Sequence, residues 1–169
     1  MSPTQTTIRE MTGDDIAFLR EMFVHTVCWR EDVPAIPLDE LLRVPELARY
    51  IVGWGRSGDR GVVAVESSGE RRGAAWYRLL DESAPGFGFV DPSIPELGIA
   101  VAPDHRGRGL GAALLTALVK LAESSGRRAL SLSVDDENLR ARRLYEALGF
   151  QPVGHVGTST TMLLRFRPD

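Results

Sequence analysis

The sequence predicts an α/β fold, a layered domain of strands and helices in the order β-α-α-β-β-β-α-β-α-β-β. Short apolar segments typical of strands alternate with segments in which apolar residues recur every three or four positions. Strand–helix–strand runs in the second half require crossover connections, which are typical of layered α/β domains. A chain of 169 residues that is 43% hydrophobic also suits one domain, which we place over residues 1–169.

The first half of the chain is predicted to contain a strand, two helical regions and a hairpin. Residues 6–9 form the strand, and residues 16–27 place apolar side chains at helical spacing after a Thr-Gly-Asp-Asp turn. Residues 38–54 form a second helical region that a proline interrupts. The apolar segments 61–67 and 73–80 are joined by a short polar turn, so we expect an antiparallel hairpin.

Residues 81–95 are rich in glycine and proline and contain Phe87 and Phe89. We expect a loop here, or a loop with a short irregular strand. A loop of this length inside a compact domain is more often functional than idle.

The second half contains the clearest alternation of strands and helices. Leucines at helical spacing from Leu110 to Leu118 predict a helix, and the alternating Leu130, Leu132 and Val134 predict a strand. The predicted elements are a strand at 96–101, a loop at 102–109, a helix at 110–124, a strand at 129–134, a helix at 138–148, and two closing strands, one from residue 153 onward and one at 160–166.

The loop before the leucine-rich helix is suited to bind phosphate. Gly107 and Gly109 allow a close backbone approach to a ligand and a positive φ. The helix that follows begins with unpaired N–H groups and a partial positive charge, which together attract anions. Arg106 and Arg108 add two full positive charges.

Dinucleotide binding is one alternative for this loop. The spacing Gly107-x-Gly109-x-x-Ala112 matches the Rossmann fingerprint, and the acidic pair 135–136 follows where a ribose-binding acid could fall. We reject this alternative because residues 102–106 separate the strand from the first glycine. Too little chain also follows the acidic pair to form a second nucleotide-binding half.

The complete strand–loop–helix segment resembles motif A of the GNAT superfamily of acyl-CoA-dependent N-acetyltransferases. The resemblance rests on the pattern Arg106-x-x-Gly109-x-Gly111, which follows the strand Glu-Leu-Gly-Ile-Ala-Val and precedes a helix with a leucine face. It implies that coenzyme A, delivered as acetyl-CoA, is the co-substrate.

A downstream segment resembles motif B of the same family: Asn138-x-x-Ala141-x-x-x-Tyr145-x-x-x-Gly149-Phe150. Two motifs in the family's order are more specific than either motif alone. The resemblance implies the GNAT fold, a six- to seven-stranded, mostly antiparallel sheet with helices on both faces. In that fold the sheet splays after the strand at 96–101, and the cofactor enters the gap.

The resemblance also implies which residues bind coenzyme A. Backbone N–H groups would hold its pyrophosphate at Arg106, Gly107, Arg108, Gly109, Leu110, Gly111 and Ala112. The main chain of Ile99, Ala100 and Val101 would pair with the pantetheine arm like an added strand. The side chain of Asn138 would contact the same arm, and helix capping is its alternative role.

Two residues are the predicted catalytic groups. By resemblance, the Tyr145 hydroxyl points at the thioester sulfur and protonates the leaving thiolate as a general acid. Packing on the inner face of a helix is the alternative role for this tyrosine. Glu96, at the start of its strand, is the candidate base for the attacking amine, and a solvent-facing strand end is its alternative position.

Composition and charge exclude other classes. A net charge of −3 argues against nucleic-acid binding, which needs a basic surface. The single cysteine, Cys28, and three scattered histidines predict no metal site, and covalent catalysis at this cysteine lacks a neighbouring base. The polar N-terminus and the short apolar segments predict a cytoplasmic protein that does not bind membranes.

The resemblance predicts transfer of an acetyl group from acetyl-CoA to a primary amine by direct attack in a ternary complex. The acceptor, a small molecule or a peptide, would bind near residues 29–38, Trp54, Trp76, Tyr77 and the loop that holds Phe87 and Phe89. A non-catalytic acyl-CoA-binding domain and transfer of another short acyl group remain alternatives. The sequence leaves open whether the protein forms a homodimer.

Overall fold

A computed structural model describes residues 4–167. Seven strands in this range form one sheet in the order β1-β2-β3-β4-β5-β7-β6. All neighbouring strands are antiparallel except β4 and β5, which run parallel. This confirms the predicted mixed, mostly antiparallel sheet. The strands are β1 (Thr6–Glu10), β2 (Arg60–Glu66), β3 (Arg71–Arg78), β4 (Glu96–Val101), β5 (Ala129–Asp135), β6 (Gln151–Val156) and β7 (Ser159–Arg165).

Five α-helices occur in the described part of the chain: α1 (Ile16–Val27), α2 (Leu38–Leu41), α3 (Pro45–Ala48), α4 (Leu110–Ser124) and α5 (Leu139–Ala147). The predicted helical region at 38–54 is therefore two single turns, followed by further turns. Pro45 explains the break, because proline lacks a backbone N–H and disfavours helix at the preceding residue. Residues 81–95 are turns with one isolated bridge, so the loop prediction is confirmed.

The sheet packs against helices on both faces, as predicted. Side chains alternate along β3, so that Ala75 and Tyr77 join the core beneath α4, while Ala74 and Trp76 join the core beneath α1. Helix α5 packs on the same face as α4 through Tyr145. No helix among residues 4–167 is long and apolar enough to cross a bilayer.

The sheet opens between β4 and β5. Their single registered pair is Glu96 with Ser131, and the Ser131 N–H donates to the Pro95 carbonyl at 3.0 Å. The opening lies beyond the strand at 96–101, as the resemblance implies, and the two strands diverge directly after Glu96. Strand β4 stays paired with β3 along its whole length. The divergence therefore leaves the β5-facing edge of β4 open.

Candidate active site

A cavity of about 820 Å³ lies in the gap between β4 and β5. Residues 99–101 form one wall and residues 133–135 form the opposite wall. The end of α1, the loop before α4 and the inner face of α5 complete the lining. A cavity of this volume is within the range that accommodates cofactor-sized ligands.

The cavity brings together most of the predicted cofactor-binding residues. These are Ile99, Ala100, Val101, Arg106, Gly107, Gly109, Leu110, Gly111, Ala112, Asn138 and Tyr145. Arg108 is exposed and does not line the cavity, and Glu96 does not line it either. The grouping agrees with the resemblance to motifs A and B, while the binding roles stay predictions.

The loop before α4 has the geometry of an anion site. Gly107 and Gly109 have φ values of 77° and 80°, a conformation that side chains disfavour. Gly109 is also the N-cap of the 15-residue helix α4, whose first N–H groups lie at the cavity. The helix dipole and these N–H groups together favour a bound phosphate.

Arg106 is held at the cavity by two hydrogen bonds. Its Nε donates to the Val101 carbonyl at 3.2 Å, and its guanidinium forms an ion pair with Glu31 at 3.2 Å. Arg30, which precedes Glu31 in the chain, forms an ion pair with Glu137 on the far rim of the cavity. Its guanidinium lies 4.6 Å from the centre of the Trp29 ring. The segment after α1, predicted as an acceptor region, is thus tied to two rims of the cavity.

Tyr145 presents a protonated hydroxyl to the cavity. Its side chain lines the cavity although the residue is 8% exposed, and its ring packs edge-on against Phe150 at 6.0 Å. Burial raises the pKa of the Tyr145 phenol above its ordinary value. Within residues 4–167 the hydroxyl has no hydrogen-bond partner, so it is free to donate to a ligand.

Asn138 has the capping role that we considered as its alternative. Its Oδ1 accepts from the Ala141 N–H at 3.3 Å and caps α5. The residue also lines the cavity, so capping does not exclude contact with a ligand.

Glu96 is buried rather than solvent-facing, so the alternative position is wrong. The residue is 4% exposed, and its Oε1 accepts from the Tyr50 hydroxyl at 2.6 Å and from the Gly88 N–H at 2.9 Å. Burial raises the pKa of Glu96 to about 7, although both hydrogen bonds act to lower it. A carboxyl with this pKa can take up or release a proton near neutral pH.

The sequence profile of the acetyltransferase (GNAT) family matches residues 17–150. The chain belongs to the GNAT family. This confirms the resemblance drawn from motifs A and B.

Two curated GNAT relatives cover parts of the chain. The mycothiol acetyltransferase of Paenarthrobacter aurescens (strain TC1) is 36% identical over 90 residues, which is 53% of this chain and 26% of that protein. The mycothiol acetyltransferase of Gordonia bronchialis is 33% identical over 112 residues, which is 58% of this chain and 33% of that protein. The chain therefore spans about a quarter to a third of the length of these relatives.

Solved structures share the GNAT fold along nearly the whole chain. The Salmonella typhimurium protein yncA, solved with its cofactor acetyl-CoA, is 23% identical, with a TM-score of 0.69 and 98% of each chain covered. A phosphinothricin acetyltransferase from Sinorhizobium meliloti, solved in complex with acetyl-CoA, is 20% identical, with a TM-score of 0.65. The match covers 95% of this chain and 88% of that one. These likenesses establish the GNAT fold.

Sequence reasoning missed the residues that surround Glu96 in the GNAT fold. Tyr50 lies in the turns after α3 and is 46 residues from Glu96, so no local pattern links them. The pair Gly86-x-Gly88 in the loop was the available signal, because glycines can mark a place where the backbone approaches a neighbour closely.

The raised pKa of Glu96 predicts that Glu96→Gln stabilises the protein at alkaline pH. Between its unfolded pKa near 4.5 and its folded pKa of about 7, the native state binds the proton more tightly, so stability falls as pH rises through this window. At pH 8 the glutamine variant should unfold with a free energy up to about 3 kcal/mol higher than wild type. At pH 4 this gain should vanish. Urea unfolding at both pH values measures it.

Glu82→Gln is the control for this substitution, because Glu82 is an exposed glutamate in the same loop. It should leave the unfolding free energy nearly unchanged at both pH values. A gain for Glu96→Gln that is equal at pH 4 and pH 8 would contradict the assigned titration.

Proposed function

We propose that this chain transfers the acetyl group of acetyl-CoA to a primary amine by direct attack in a ternary complex. The observation that carries the proposal is the cavity in the β4–β5 gap, where an anion-binding loop, an open strand edge and the Tyr145 hydroxyl meet. Cleft, phosphate site and proton donor are the parts that this reaction class requires.

The lining residues fit coenzyme A in charge and shape. The glycine-rich loop at 106–112 would hold the pyrophosphate on backbone N–H groups. The β5-facing edge of β4 at residues 99–101 would pair with the amides of the pantetheine arm. When bound, acetyl-CoA supplies a thioester carbonyl for attack. Acetyl-CoA in the Salmonella typhimurium and Sinorhizobium meliloti structures supports this choice.

Tyr145 and Glu96 would handle the two protons of the reaction. An alkyl ammonium has a pKa near 10.4, so its deprotonation at pH 7 costs roughly 4–5 kcal/mol and needs a base. We assign Glu96 as that base, reached through water because it lies outside the cavity lining. As the amine nitrogen bonds to the acyl carbon and the carbon–sulfur bond breaks, Tyr145 donates its proton to the leaving thiolate. The nitrogen then releases the proton that the amide product does not keep, and this proton restores the Tyr145 hydroxyl.

The first test is a thermal-shift comparison of acetyl-CoA and NAD. A ligand at 100 times its dissociation constant adds about 2.7 kcal/mol to the free energy of unfolding, which is enough to raise the melting temperature visibly. We expect acetyl-CoA to stabilise the protein and NAD to leave it unchanged. A shift with NAD alone would support the dinucleotide alternative instead.

Charge reversal at two arginines tests where the phosphates bind. Arg106 lies at the cavity and Arg108 is exposed outside it, so Arg106→Glu should weaken acetyl-CoA binding about tenfold or more. Arg108→Glu is the matched control and should have the smaller effect. An equal loss of acetyl-CoA affinity in both variants would indicate that the arginines act through the overall charge of the protein rather than through contact with the phosphates.

Release of free thiol with a panel of amines then distinguishes an enzyme from a non-catalytic acyl-CoA-binding domain.

A further inference from the structure

Two polar atoms without partners lie where β4 and β5 begin to separate. Within residues 4–167, Glu96 Oε2 and Ser131 Oγ are buried and have no hydrogen-bond partner. The two residues form the single registered pair of these strands, so they lie about 5 Å apart across the sheet. Leu97 and Leu130 face α4, so the alternation of side chains places both polar groups on the α1 face.

The carboxylate of Glu96 is held through one oxygen. Oε1 accepts from both the Tyr50 hydroxyl and the Gly88 N–H, whereas Oε2 accepts nothing within the described residues. The Tyr50 oxygen itself accepts from the Phe87 N–H at 2.7 Å. Because that N–H can only donate, the single hydroxyl proton of Tyr50 is directed to Glu96.

The loop leaves space for the unpaired oxygen. A Cβ atom on Gly86 would lie 2.0 Å from Glu96 Oε2 and 2.6 Å from the Tyr50 hydroxyl. Any side chain at this position would push the carboxylate out of its place. At Gly88 a Cβ would lie 2.5 Å from the Leu132 carbonyl carbon, so the loop backbone is pressed against β5.

No cation contacts Glu96 among the described residues. Arg78 is its register partner on β3, but the Arg78 guanidinium is paired with Asp59. Arg49, beside Tyr50, donates to the Pro85 carbonyl. The acidic residues of the covering loop, Asp81, Glu82 and Asp91, are exposed. The hydrogen bonds to Oε1 are therefore the contacts that stabilise the charged carboxylate.

We propose that Tyr50 is a positioning residue for Glu96. Its hydroxyl, oriented by the Phe87 N–H, occupies Oε1 and leaves Oε2, beside Ser131, to take the proton that the attacking amine releases. An N–H bond of the ammonium breaks, the bridging water accepts this proton while giving one of its own to Oε2, and the O–H bond of the carboxyl forms. This inference rests on the proposed function, in which Glu96 is the base.

A titration of labelled glutamates tests the hydrogen bond without any acceptor. The protein is prepared with ¹³C at the glutamate carboxyl carbons, and Glu96→Gln identifies the Glu96 signal by its loss. Removing a donor to the carboxylate destabilises its charged form, so Tyr50→Phe should raise the Glu96 midpoint by about one pH unit. Tyr77→Phe, which removes another buried hydroxyl, is the matched control and should leave the midpoint unchanged.

The rate of thiol release tests the catalytic consequence. The amine used is whichever of spermidine, glucosamine, lysine and an alanyl peptide turns over fastest. In Tyr50→Phe the acid limb of the kcat profile should move to higher pH by the same amount as the Glu96 midpoint. The decrease in kcat relative to wild type should therefore be larger at pH 6 than at pH 9. Gly86→Ala, which crowds both Oε2 and the Tyr50 hydroxyl, should lower kcat at both pH values.

The outcomes separate this inference from the proposed function. An unshifted midpoint in Tyr50→Phe, or an equal rate loss at every pH, overturns the role of Tyr50 alone. If Glu96→Gln keeps the wild-type rate and profile, Glu96 is not the base and both statements about it fail. Stabilisation by acetyl-CoA would still stand in that case. If none of the four amines is acetylated, the carboxyl titration alone decides whether Tyr50 positions Glu96.

Discussion

Tyr145→Phe should lower kcat by at least about 10²-fold and leave the affinity for acetyl-CoA close to that of wild type. The substitution removes one oxygen atom whose only role in the proposed reaction is to protonate the leaving thiolate, and general acids contribute about 10²–10⁴-fold. The hydroxyl has no partner within residues 4–167, so the ring should keep its packing against Phe150. Single-turnover thiol release and acetyl-CoA titration measure the two effects separately.

The control for this substitution is Tyr77→Phe. We predicted that Tyr77 lies near the acceptor, but it is buried in the same core as Tyr145 and does not line the cavity. Within residues 4–167 its buried hydroxyl has no hydrogen-bond partner. It should keep both the wild-type kcat and the wild-type stability. If Tyr145→Phe keeps the full rate as well, another group or a water molecule protonates the thiolate. If both variants lose activity equally, the loss comes from the core rather than from proton transfer.

The anion-binding half of the site could be predicted from sequence because its signals are local. The strand at 96–101 and the helix at 110–124 have the predicted bounds. The reason is that the apolar pattern changes from strand to helix spacing across the glycine-containing loop that separates them. Both motifs carry their functional residues within one loop and one helix. The cavity then groups them because β4 and β5 diverge.

The base and its surroundings could not be predicted in the same way. A glutamate at the start of a strand normally faces solvent, and Glu96 is buried because Tyr50 and residues 81–95 pack over it in the folded domain. Tyr50 contacts it from the segment 38–54, which we predicted as a helical region and which Pro45 divides into turns. The ion pair Arg30–Glu137 joins residues 107 positions apart. Such contacts depend on the packing of the whole domain, which propensity does not describe.

The segment that carries Tyr50 is anchored by a buried ion pair. Arg78, at the end of β3, is 1% exposed, and its guanidinium donates twice to Asp59, at 3.0 and 2.8 Å. It also donates to the carbonyls of Arg49 and Val52, at 3.1 and 2.7 Å. These two carbonyls flank Tyr50 in a stretch of turns. Arg78 therefore attaches this segment to the sheet, and Tyr50 contacts Glu96 from the same segment.

Arg78→Met should therefore destabilise the fold and disturb the candidate base together. It leaves Asp59 as a buried charge without its cation, which typically costs 3–5 kcal/mol and corresponds to a fall in melting temperature of roughly 6–20 °C for a chain of this size. Arg60→Met is the control, because the ion pair of Arg60 with Glu10 is exposed and should contribute less than about 1 kcal/mol. Urea unfolding compares the two variants.

A double variant and the carboxyl titration identify the cause of the loss. Adding Asp59→Asn to Arg78→Met removes the unpaired charge, so the double variant should be more stable than the sum of the single losses implies. In Arg78→Met the Glu96 midpoint should rise as it does in Tyr50→Phe, because the same donor is displaced from Oε1. A variant as stable as Arg60→Met, or a Glu96 midpoint equal to wild type, would show that the Arg78 anchor does not support the Tyr50–Glu96 contact.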